Sequence, residues 1–278
     1  MQQSVEHLTP SEALDLPARV LVTGAAGGIG SALVRRLLKA GVAVIATDRG
    51  EAPRNFFDGL ASSDARGQSA VARSQWIGAD LATRAGRDAV VHAVLGQGGV
   101  PALGGLVHVA GVLDPVDWNL IDESQVEQLF CVNLQAPFFL IRGLLPAFGP
   151  DASVVLMGSI AAIRGSPKTP FYAASKAALR NLGASMAMAL QPRGIRVNVV
   201  APGLIDTPLT DGLNLRLASE RGIPVAQVES ERAQVIPAGR AGTPDEVVST
   251  CLFFLSRQSS YCTGTTLHPT GGVWAGTI

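Results

Sequence analysis

The sequence predicts an α/β fold of the Rossmann type, a doubly wound parallel sheet of seven strands with helices on both faces. Short apolar segments alternate along the chain with segments of helical length and periodicity, which is the pattern of a parallel sheet covered by helices. The short segments, such as VLVT and SVVLM, are continuously apolar, as strands buried on both faces are. No linker-like stretch divides residues 18–278, so we expect a single Rossmann-fold domain there.

Each element follows from its apolar pattern and from the glycine or proline at its end. The predicted strands are 19–23, 43–47, 74–78, 105–109, 153–157, 195–199 and 265–268. The predicted helices are 29–40, 84–95, 123–148, 171–190 and 244–255. Residues 51–73 are polar and rich in Gly, Ser and Ala, which indicates a surface excursion with room for one short helix. Residues 204–237 form a long aliphatic excursion, which predicts a substrate lid.

Composition excludes several classes of function. The 22 basic and 22 acidic residues are interspersed and the formal net charge is zero, so the charge pattern of a nucleic-acid binder is missing. No apolar run approaches the roughly 20 residues that cross a bilayer.

Residues 1–17 lack the basic and apolar parts of a secretion signal, and we expect a flexible arm. Three scattered cysteines favour reduced thiols in the cytoplasm, and the scattered His7, His92 and His268 predict no metal site.

A glycine motif follows the first predicted strand. Gly24, Gly28 and Gly30 lie between VLVT and an amphipathic helix. Glycines allow a tight turn and close approach to a pyrophosphate, while the helix N-terminus offers N–H groups and a positive dipole end. Three glycines could instead serve only helix–strand packing. The strand–turn–helix context favours binding of a dinucleotide.

Acidic residues follow the second and third strands. Asp48 ends the second strand, where a carboxylate accepts hydrogen bonds from the adenosine ribose and repels a 2′-phosphate. This favours NAD over NADP, although Arg49 could pair with such a phosphate. Asp80 could reach the adenine amino group while Leu81 packs on the ring, and Thr83 is a candidate helix N-cap.

A tyrosine and a lysine stand four residues apart in YAASK, with a serine upstream. On a helix, Tyr172 and Lys176 would lie on one face, one turn apart. A nearby cation lowers the pKa of a phenol, so Tyr172 could exchange protons near neutral pH, as hydride chemistry at an alcohol or ketone requires. Ser159 lies thirteen residues before Tyr172 and could donate a hydrogen bond to the same substrate oxygen.

With the glycine motif and the tyrosine–lysine pair together, the chain resembles the short-chain dehydrogenase/reductase family in its single-domain form, from about residue 19 to residue 272. The matching segments are TGAAGGIG, CVNLQAPFFL, GSIAAIRGSPKTPFYAASKAAL, VNVVAPGLIDTP and PAGRAGTPDEV. The resemblance implies four catalytic positions: Asn133, Ser159, Tyr172 and Lys176. Lys176 would also hold the nicotinamide ribose, and Asn133 would bind a water linking Lys176 to solvent.

The resemblance, together with the motifs above, also implies a set of cofactor-binding positions and an NAD cofactor. They are Thr23, Gly24, Gly28, Ile29, Gly30, Asp48, Arg49, Asp80, Leu81, Ala110, Gly111, Tyr172, Lys176, Pro202, Gly203, Ile205 and Thr207. Thr207 matches a position that contacts the carboxamide and pyrophosphate, and the backbone of Ile205 one that holds the carboxamide. The chain departs from the family at His108, which replaces an Asn; we expect a hydrogen-bonded structural residue behind the cofactor.

The expected substrate is a small lipophilic or cyclic secondary alcohol or ketone. Its predicted pocket residues are Leu113, Trp118, Ile160, Arg164, Leu209 and Leu213, with Ile163 and Phe171 as further candidates. Arg164 leaves room for an acidic group on the substrate. Two alternatives stay open, a dehydratase or epimerase on the same cofactor scaffold and a nucleotide-binding regulator without turnover. By analogy with the family, helices 123–148 and 171–190 would form the interface of a homotetramer or homodimer.

Overall fold

A seven-stranded sheet forms the centre of the molecule. The computed structural model describes residues 14–61, 63–96, 102–113, 121–164, 166 and 168–273. The strands are β1 Arg19–Thr23, β2 Ala43–Asp48, β3 Gln75–Gly78, β4 Leu103–His108, β5 Phe148–Met157, β6 Arg196–Val200 and β7 Thr266–Leu267. Their order is β3-β2-β1-β4-β5-β6-β7, and every neighbouring pair is parallel.

Ten α-helices surround the sheet in the described part of the chain. They are α1 Gly28–Lys39, α2 Phe56–Leu60, α3 Ala65–Ala72, α4 Arg84–Leu95, α5 Glu123–Phe130, α6 Ala136–Leu144, α7 Pro170–Leu190, α8 Pro208–Arg221, α9 Val225–Gln234 and α10 Pro244–Leu255. A π-helical turn at Cys131–Gln135 joins α5 to α6, and a 3₁₀ turn at Ile160–Ile163 follows β5. Among the residues described, no helix has the length and apolar character needed to span a membrane.

Alternating side chains of the strands bury two apolar layers, one on each face. On β1, Val20 and Val22 pack with α1 and α10, whereas Leu21 packs with α4, α6 and α7 on the opposite face. This alternation is the two-residue period of a strand. The predicted Rossmann-type fold is therefore confirmed, with helices on both faces.

The strand order fixes where a ligand can bind. The chain runs outward from β1 to β3 and then returns to β4, which pairs with the other side of β1. Helices on the two sides of this reversal diverge and leave a crevice at the carboxyl ends of the strands, the usual ligand site of such sheets. The ends of β1, β2 and β4 meet there, since Thr23 pairs with both Thr47 and His108.

The largest difference from the predicted elements concerns residues 123–148. One helix was expected, but α5, a π-helical turn and α6 occupy this range, and α6 ends at Leu144. Phe148 instead pairs with Leu103 and starts β5 five residues earlier than expected. The apolar pattern runs on through this junction, so strand pairing rather than local preference decides where the helix ends.

Two further segments add detail to the sequence predictions. Residues 51–73 hold two short helices, α2 and α3, where one was expected. Of the predicted N-terminal arm, residues 1–13 lie outside the described residues. Leu14 and Leu16 pack against the core, and the carbonyl of Asp15 accepts a hydrogen bond from the N–H of Arg257, so the end of this segment is held against the domain.

Candidate active site

A cavity of about 580 Å³ opens at the carboxyl ends of the strands. Its wall combines the turn between β1 and α1, the ends of β2 to β5, the start of α7 and the segment that follows β6. These are the elements that the strand reversal brings together. Both groups of predicted residues, the glycine motif and the tyrosine–lysine pair, therefore face one space.

The glycine turn forms a cradle that side chains would fill. Gly24 has a φ of +64°, and a Cβ there would lie 2.7 Å from the N atom of Ala110. A Cβ at Gly30 would overlap the carbonyl oxygen of Gly24. Helix α1 begins at Gly28, and no side chain caps its N-terminus. Its first N–H groups and positive dipole end thus suit a pyrophosphate, so the residues present fit a dinucleotide.

Asp48 is fixed beside this turn. One carboxylate oxygen accepts the N–H of Ala26 at 3.0 Å and the other accepts the N–H of Arg49 at 2.8 Å. Asp48 and Arg49 both line the cavity. Two backbone donors therefore hold the carboxylate in place beside the glycine turn.

The loop after β3 shapes the next part of the wall. Asp80 accepts the N–H of Ala82 at 3.0 Å, and Thr83 caps α4 by accepting the N–H of Gly86, as predicted. Sequence reasoning missed Arg87, a buried residue that donates to the carbonyls of Leu81 at 2.8 Å and Ala82 at 3.0 Å. Nothing in the sequence distinguishes this arginine from its exposed neighbours, because its role depends on the fold of the loop.

Tyr172 and Ser159 meet on the opposite wall. Ser159 starts the 3₁₀ turn after β5, where its Oγ accepts the N–H of Ala161 at 3.1 Å. Tyr172 lies in the first turn of α7, whose N1 position is Pro170. Both residues line the cavity and share a hydrogen bond between their side chains. The two hydroxyl groups can therefore approach a single substrate oxygen.

Lys176 lies one turn further along α7 and is 2% exposed. Its Nζ donates to the carbonyl of Met157 at 2.8 Å and lies 5.7 Å from the centre of the Tyr172 ring. Burial lowers the pKa of Lys176 to about 8. The predicted juxtaposition on one helix face is thus present in the structure.

The pKa of Tyr172 shifts in the direction opposite to the one expected from the sequence. Tyr172 is partly exposed to the cavity, yet burial around its hydroxyl raises its pKa, and the hydrogen bond with Ser159 offsets only part of that increase. The net pKa shift of Tyr172 is therefore upward, opposite to the lowered pKa expected from the sequence. Desolvation disfavours the charged form of both groups, and it is the largest cause of both shifts.

Asn133 sits in the π-helical turn, fully buried behind the cavity wall. Its amide donates to the carbonyl of Val112 and to Ser175 Oγ, both at 3.0 Å, and accepts the N–H of Val112 at 2.9 Å. The π-helical turn thereby anchors the loop after β4, and such turns often mark functional sites. The predicted water contact of Asn133 stays a prediction.

His108 and Thr23 lie behind the cavity, at the ends of β4 and β1. Thr23 Oγ1 lies 3.0 Å from His108 Nδ1 and accepts the N–H of Ala110 at 3.2 Å. Burial, with Lys176 as a second cause, lowers the pKa of His108 to about 3, so this ring is neutral. His108 has the structural position that was predicted. Thr23 was expected to bind cofactor, but it is fully buried and not part of the cavity wall.

The segment after β6 completes the cofactor side. Pro202, Gly203, Ile205 and Thr207 all line the cavity, and Thr207 caps α8. The carbonyl of Ile205 accepts a hydrogen bond from Thr210 Oγ1 at 2.6 Å, and its second lone pair is left for another donor. All the other predicted cofactor positions apart from Thr23 also face this cavity.

The predicted lid folds as α8 and α9 and supplies the remaining wall. Of the predicted substrate residues, four line the cavity: Leu113, Ile160, Leu209 and Leu213. Trp118 lies outside the described residues. Arg164, Ile163 and Phe171 are not part of the cavity wall, and Arg164 is exposed because the extended backbone after the 3₁₀ turn carries it away. Among the described residues, the structure does not bring these three to the cavity wall.

Sequence reasoning also missed several residues at the end of the cavity that α8 and α9 enclose, the lid end. One of them is a cation. The cavity wall includes Thr210, Arg232, Val235 and Ile236. Arg232 is one of several basic residues in 204–237, and only the packing of α9 on α8 reveals which of them faces inward. Among the described residues, no group of His, Cys, Asp and Glu could hold a metal ion.

Comparisons with known proteins agree with this geometry. The family model of Enoyl-(Acyl carrier protein) reductase matches residues 24–274. Galactitol 2-dehydrogenase of Agrobacterium fabrum (strain C58) is 32% identical and aligns over 91% of this chain and 96% of its own.

Two solved structures share the fold over nearly their whole length. A short chain dehydrogenase family protein from Francisella tularensis subsp. tularensis SCHU S4 has a TM-score of 0.81 and 28% identity, covering 93% of this chain and 99% of its own. L-sorbose reductase from Gluconobacter frateurii, solved with NADPH and L-sorbose, has a TM-score of 0.83 and 25% identity, covering 95% and 99%.

Proposed function

The chain belongs to the short-chain dehydrogenase/reductase family of oxidoreductases, and we propose that it transfers a hydride between NAD(H) and a secondary alcohol or ketone. The observation that carries this proposal is the meeting of Tyr172, Ser159 and Lys176 with the glycine turn in one cavity. A nicotinamide cofactor supplies or accepts the hydride when bound. The chain must then bind the substrate oxygen and move its proton.

In the reductive direction, Tyr172 donates its phenolic proton to the substrate oxygen as negative charge develops there. Burial raises the pKa of Tyr172, so the phenol is protonated at neutral pH and suits this role. Ser159 donates a hydrogen bond to the same oxygen and stabilises the developing charge. Lys176 lies one turn away with a pKa of about 8, so it is protonated at neutral pH and favours negative charge on its neighbour.

Asp48 supports NAD as the cofactor. Its carboxylate lines the cavity and is held by two backbone donors beside the glycine turn. Such a group accepts hydrogen bonds from the ribose hydroxyls and repels a 2′-phosphate. The sorbose reductase of Gluconobacter frateurii was solved with NADPH, so the fold is compatible with that cofactor too. We propose that Asp48, the last residue of β2, sets the preference of this chain for NAD.

The cavity wall supports a substrate with an aliphatic or cyclic body. Leu113, Ile160, Leu209 and Leu213 line the same cavity as the catalytic hydroxyls. The galactitol dehydrogenase of Agrobacterium fabrum acts, by its name, on a polyol. We propose that this chain prefers secondary alcohols without the extra hydroxyls of a polyol, because aliphatic walls leave such hydroxyls without partners.

The test is the substitution Tyr172→Phe, with Tyr261→Phe as its matched control. Tyr261 is the other tyrosine of the chain and is fully exposed. Turnover of a broad panel of alcohols and ketones is followed by NADH absorbance. We expect kcat to fall about 10³-fold in the Tyr172 variant, on the scale of general acid–base catalysis. NADH binding should persist there, and the control should match the wild type. Comparable turnover in all three proteins would remove the catalytic assignment.

A further inference from the structure

A cation stands at the lid end of the cavity without a carboxylate partner. Arg232 lies on α9, lines the cavity and is half-buried. Its Nη1 donates to Asn214 Oδ1 on α8. Within the described ranges, no carboxylate lies at ion-pair distance from it, although Glu231 is its neighbour in sequence. Glu231 is held by Arg221 at 2.7 Å.

The remaining charges of the cavity wall leave this end positive. The carboxylates of the described wall are Asp48, the last residue of β2, and Asp80, which follows β3. Both lie at the end proposed to bind adenosine. Of the other cations, Arg49 lies beside Asp48, and Lys176 donates to the carbonyl of Met157. The lid end therefore has a positive charge that no described group of the wall balances.

The surroundings of Arg232 strengthen its attraction for an anion. Leu213, Val235 and Ile236 also line the cavity. Ile236 is buried and Leu213 is half-buried, although Val235 is 73% exposed, and an ion pair gains strength where apolar side chains exclude water. Burial lowers the pKa of Arg232, which means that the charge is desolvated without full compensation. A guanidinium has five N–H donors in a planar fork that matches a carboxylate, and the single amide oxygen of Asn214 satisfies few of them.

We propose that Arg232 binds a carboxylate of the substrate, so that the preferred substrates are hydroxy acids or keto acids with an aliphatic or cyclic body. This inference rests on the proposed function and adds the substrate class. It also moves the acid-binding role that the sequence suggested for Arg164 to a residue that faces the cavity. Arg232 has a competing structural role, since its bond to Asn214 links α9 to α8.

The test compares a keto acid with its neutral counterpart of the same skeleton, 3-oxocyclohexanecarboxylate and its methyl ester, at saturating NADH. In the wild type we expect kcat/KM to be about tenfold higher or more for the acid, on the scale of a charged hydrogen bond. Arg232→Gln keeps a donor for Asn214 but removes the charge. It should lower kcat/KM for the acid about 10–100-fold, mainly through KM, and leave the ester nearly unchanged. Arg232→Lys should fall between the two.

Arg164→Gln is the matched control, since Arg164 is exposed and outside the cavity wall; we expect it to behave as the wild type with both compounds. Equal losses for acid and ester in Arg232→Gln would assign Arg232 to the link between the lid helices and overturn the proposal. A rise in KM for NADH with an unchanged acid-to-ester ratio would place it on the cofactor and overturn it as well. So would a wild type that does not prefer the acid.

Binding of the acid, measured by calorimetry with NAD⁺ present so that the keto group is not reduced, separates this inference from the proposed function. An Arg232-dependent affinity for the acid but not the ester, in a protein that turns over neither compound, would sustain the inference and count against the oxidoreductase assignment. Turnover of neutral ketones together with equal affinity for acid and ester would support the oxidoreductase assignment and overturn the inference about Arg232.

Discussion

Replacing Lys176 by Met should stabilise the protein at neutral pH while abolishing its activity. The ammonium of Lys176 is buried, and its pKa falls from 10.5 to about 8. At about 1.4 kcal/mol for each pKa unit, this burial costs about 3 kcal/mol at pH 7. Methionine has a similar length and no charge to desolvate. It also loses the hydrogen bond to the carbonyl of Met157, worth about 1–2 kcal/mol. The net expectation is a gain of about 1 kcal/mol in the free energy of unfolding.

The pH dependence gives the sharper expectation. The pKa of Lys176 is lower in the folded protein, so the unfolded chain binds more protons between pH 8 and pH 10.5, and wild-type stability rises with pH through that window. The methionine variant has no such titration. Relative to the variant, the wild type should therefore gain about 2 kcal/mol between pH 7 and pH 10, which reverses the order of stability.

Urea unfolding followed by circular dichroism at pH 7, 8.5 and 10, at one protein concentration, measures this difference. Lys39→Met is the matched control, because Lys39 is exposed at the end of α1; its difference from the wild type should stay within about 0.5 kcal/mol at every pH. A Lys176 variant that is less stable than the wild type at pH 7, by an amount that does not change with pH, would refute the argument that burial of this charge is costly.

Two further substitutions test the cofactor side. Asp48→Asn removes the charge that we propose binds the ribose. It should reduce the preference for NAD over NADP in kcat/KM about 10–100-fold, since like charges in contact cost several kcal/mol. The exposed Asp58→Asn should leave this preference unchanged, and a wild type that prefers NADP would contradict the assignment. Arg87→Met removes the donor that holds the Leu81 loop, so we expect the Kd for NADH to rise about tenfold and stability to fall by about 2 kcal/mol. Calorimetry measures the Kd, and urea unfolding measures the stability. Arg84→Met, at an exposed site, is the control. Unchanged values in the Arg87 variant would show that the loop keeps its conformation without this arginine.

The parts of the site that could be predicted from the sequence are those encoded by short spacings. Gly24 and Gly30 lie six residues apart in a turn whose backbone cannot accept side chains. Tyr172 and Lys176 share a helix face because they are four residues apart on α7. In both cases the spacing within one turn or one helix sets the relative positions of the residues, so these positions can be predicted without knowing contacts between distant segments.

What the sequence did not reveal depends on contacts between distant segments. The end of α6 depends on pairing between Phe148 and Leu103. The choice of Arg232 over Arg164 depends on how α9 packs against α8, and both helices carry polar residues around most of their circumference. Local patterns do not specify the orientation of such helices.

The electrostatics of the site also depend partly on local spacing and partly on packing. Proximity of Tyr172 to Lys176 follows from their spacing, but the sign of the tyrosine pKa shift depends on desolvation, which only the packed structure determines. Burial lowers the pKa of Lys176 and of Arg232 in the same cavity. Both cations are thus held at a cost to stability that the fully buried apolar layers of the sheet must offset. A fold selected for stability alone would replace them with apolar residues. Their presence around one cavity is therefore a physical argument that this cavity binds negatively charged or strongly polar ligands.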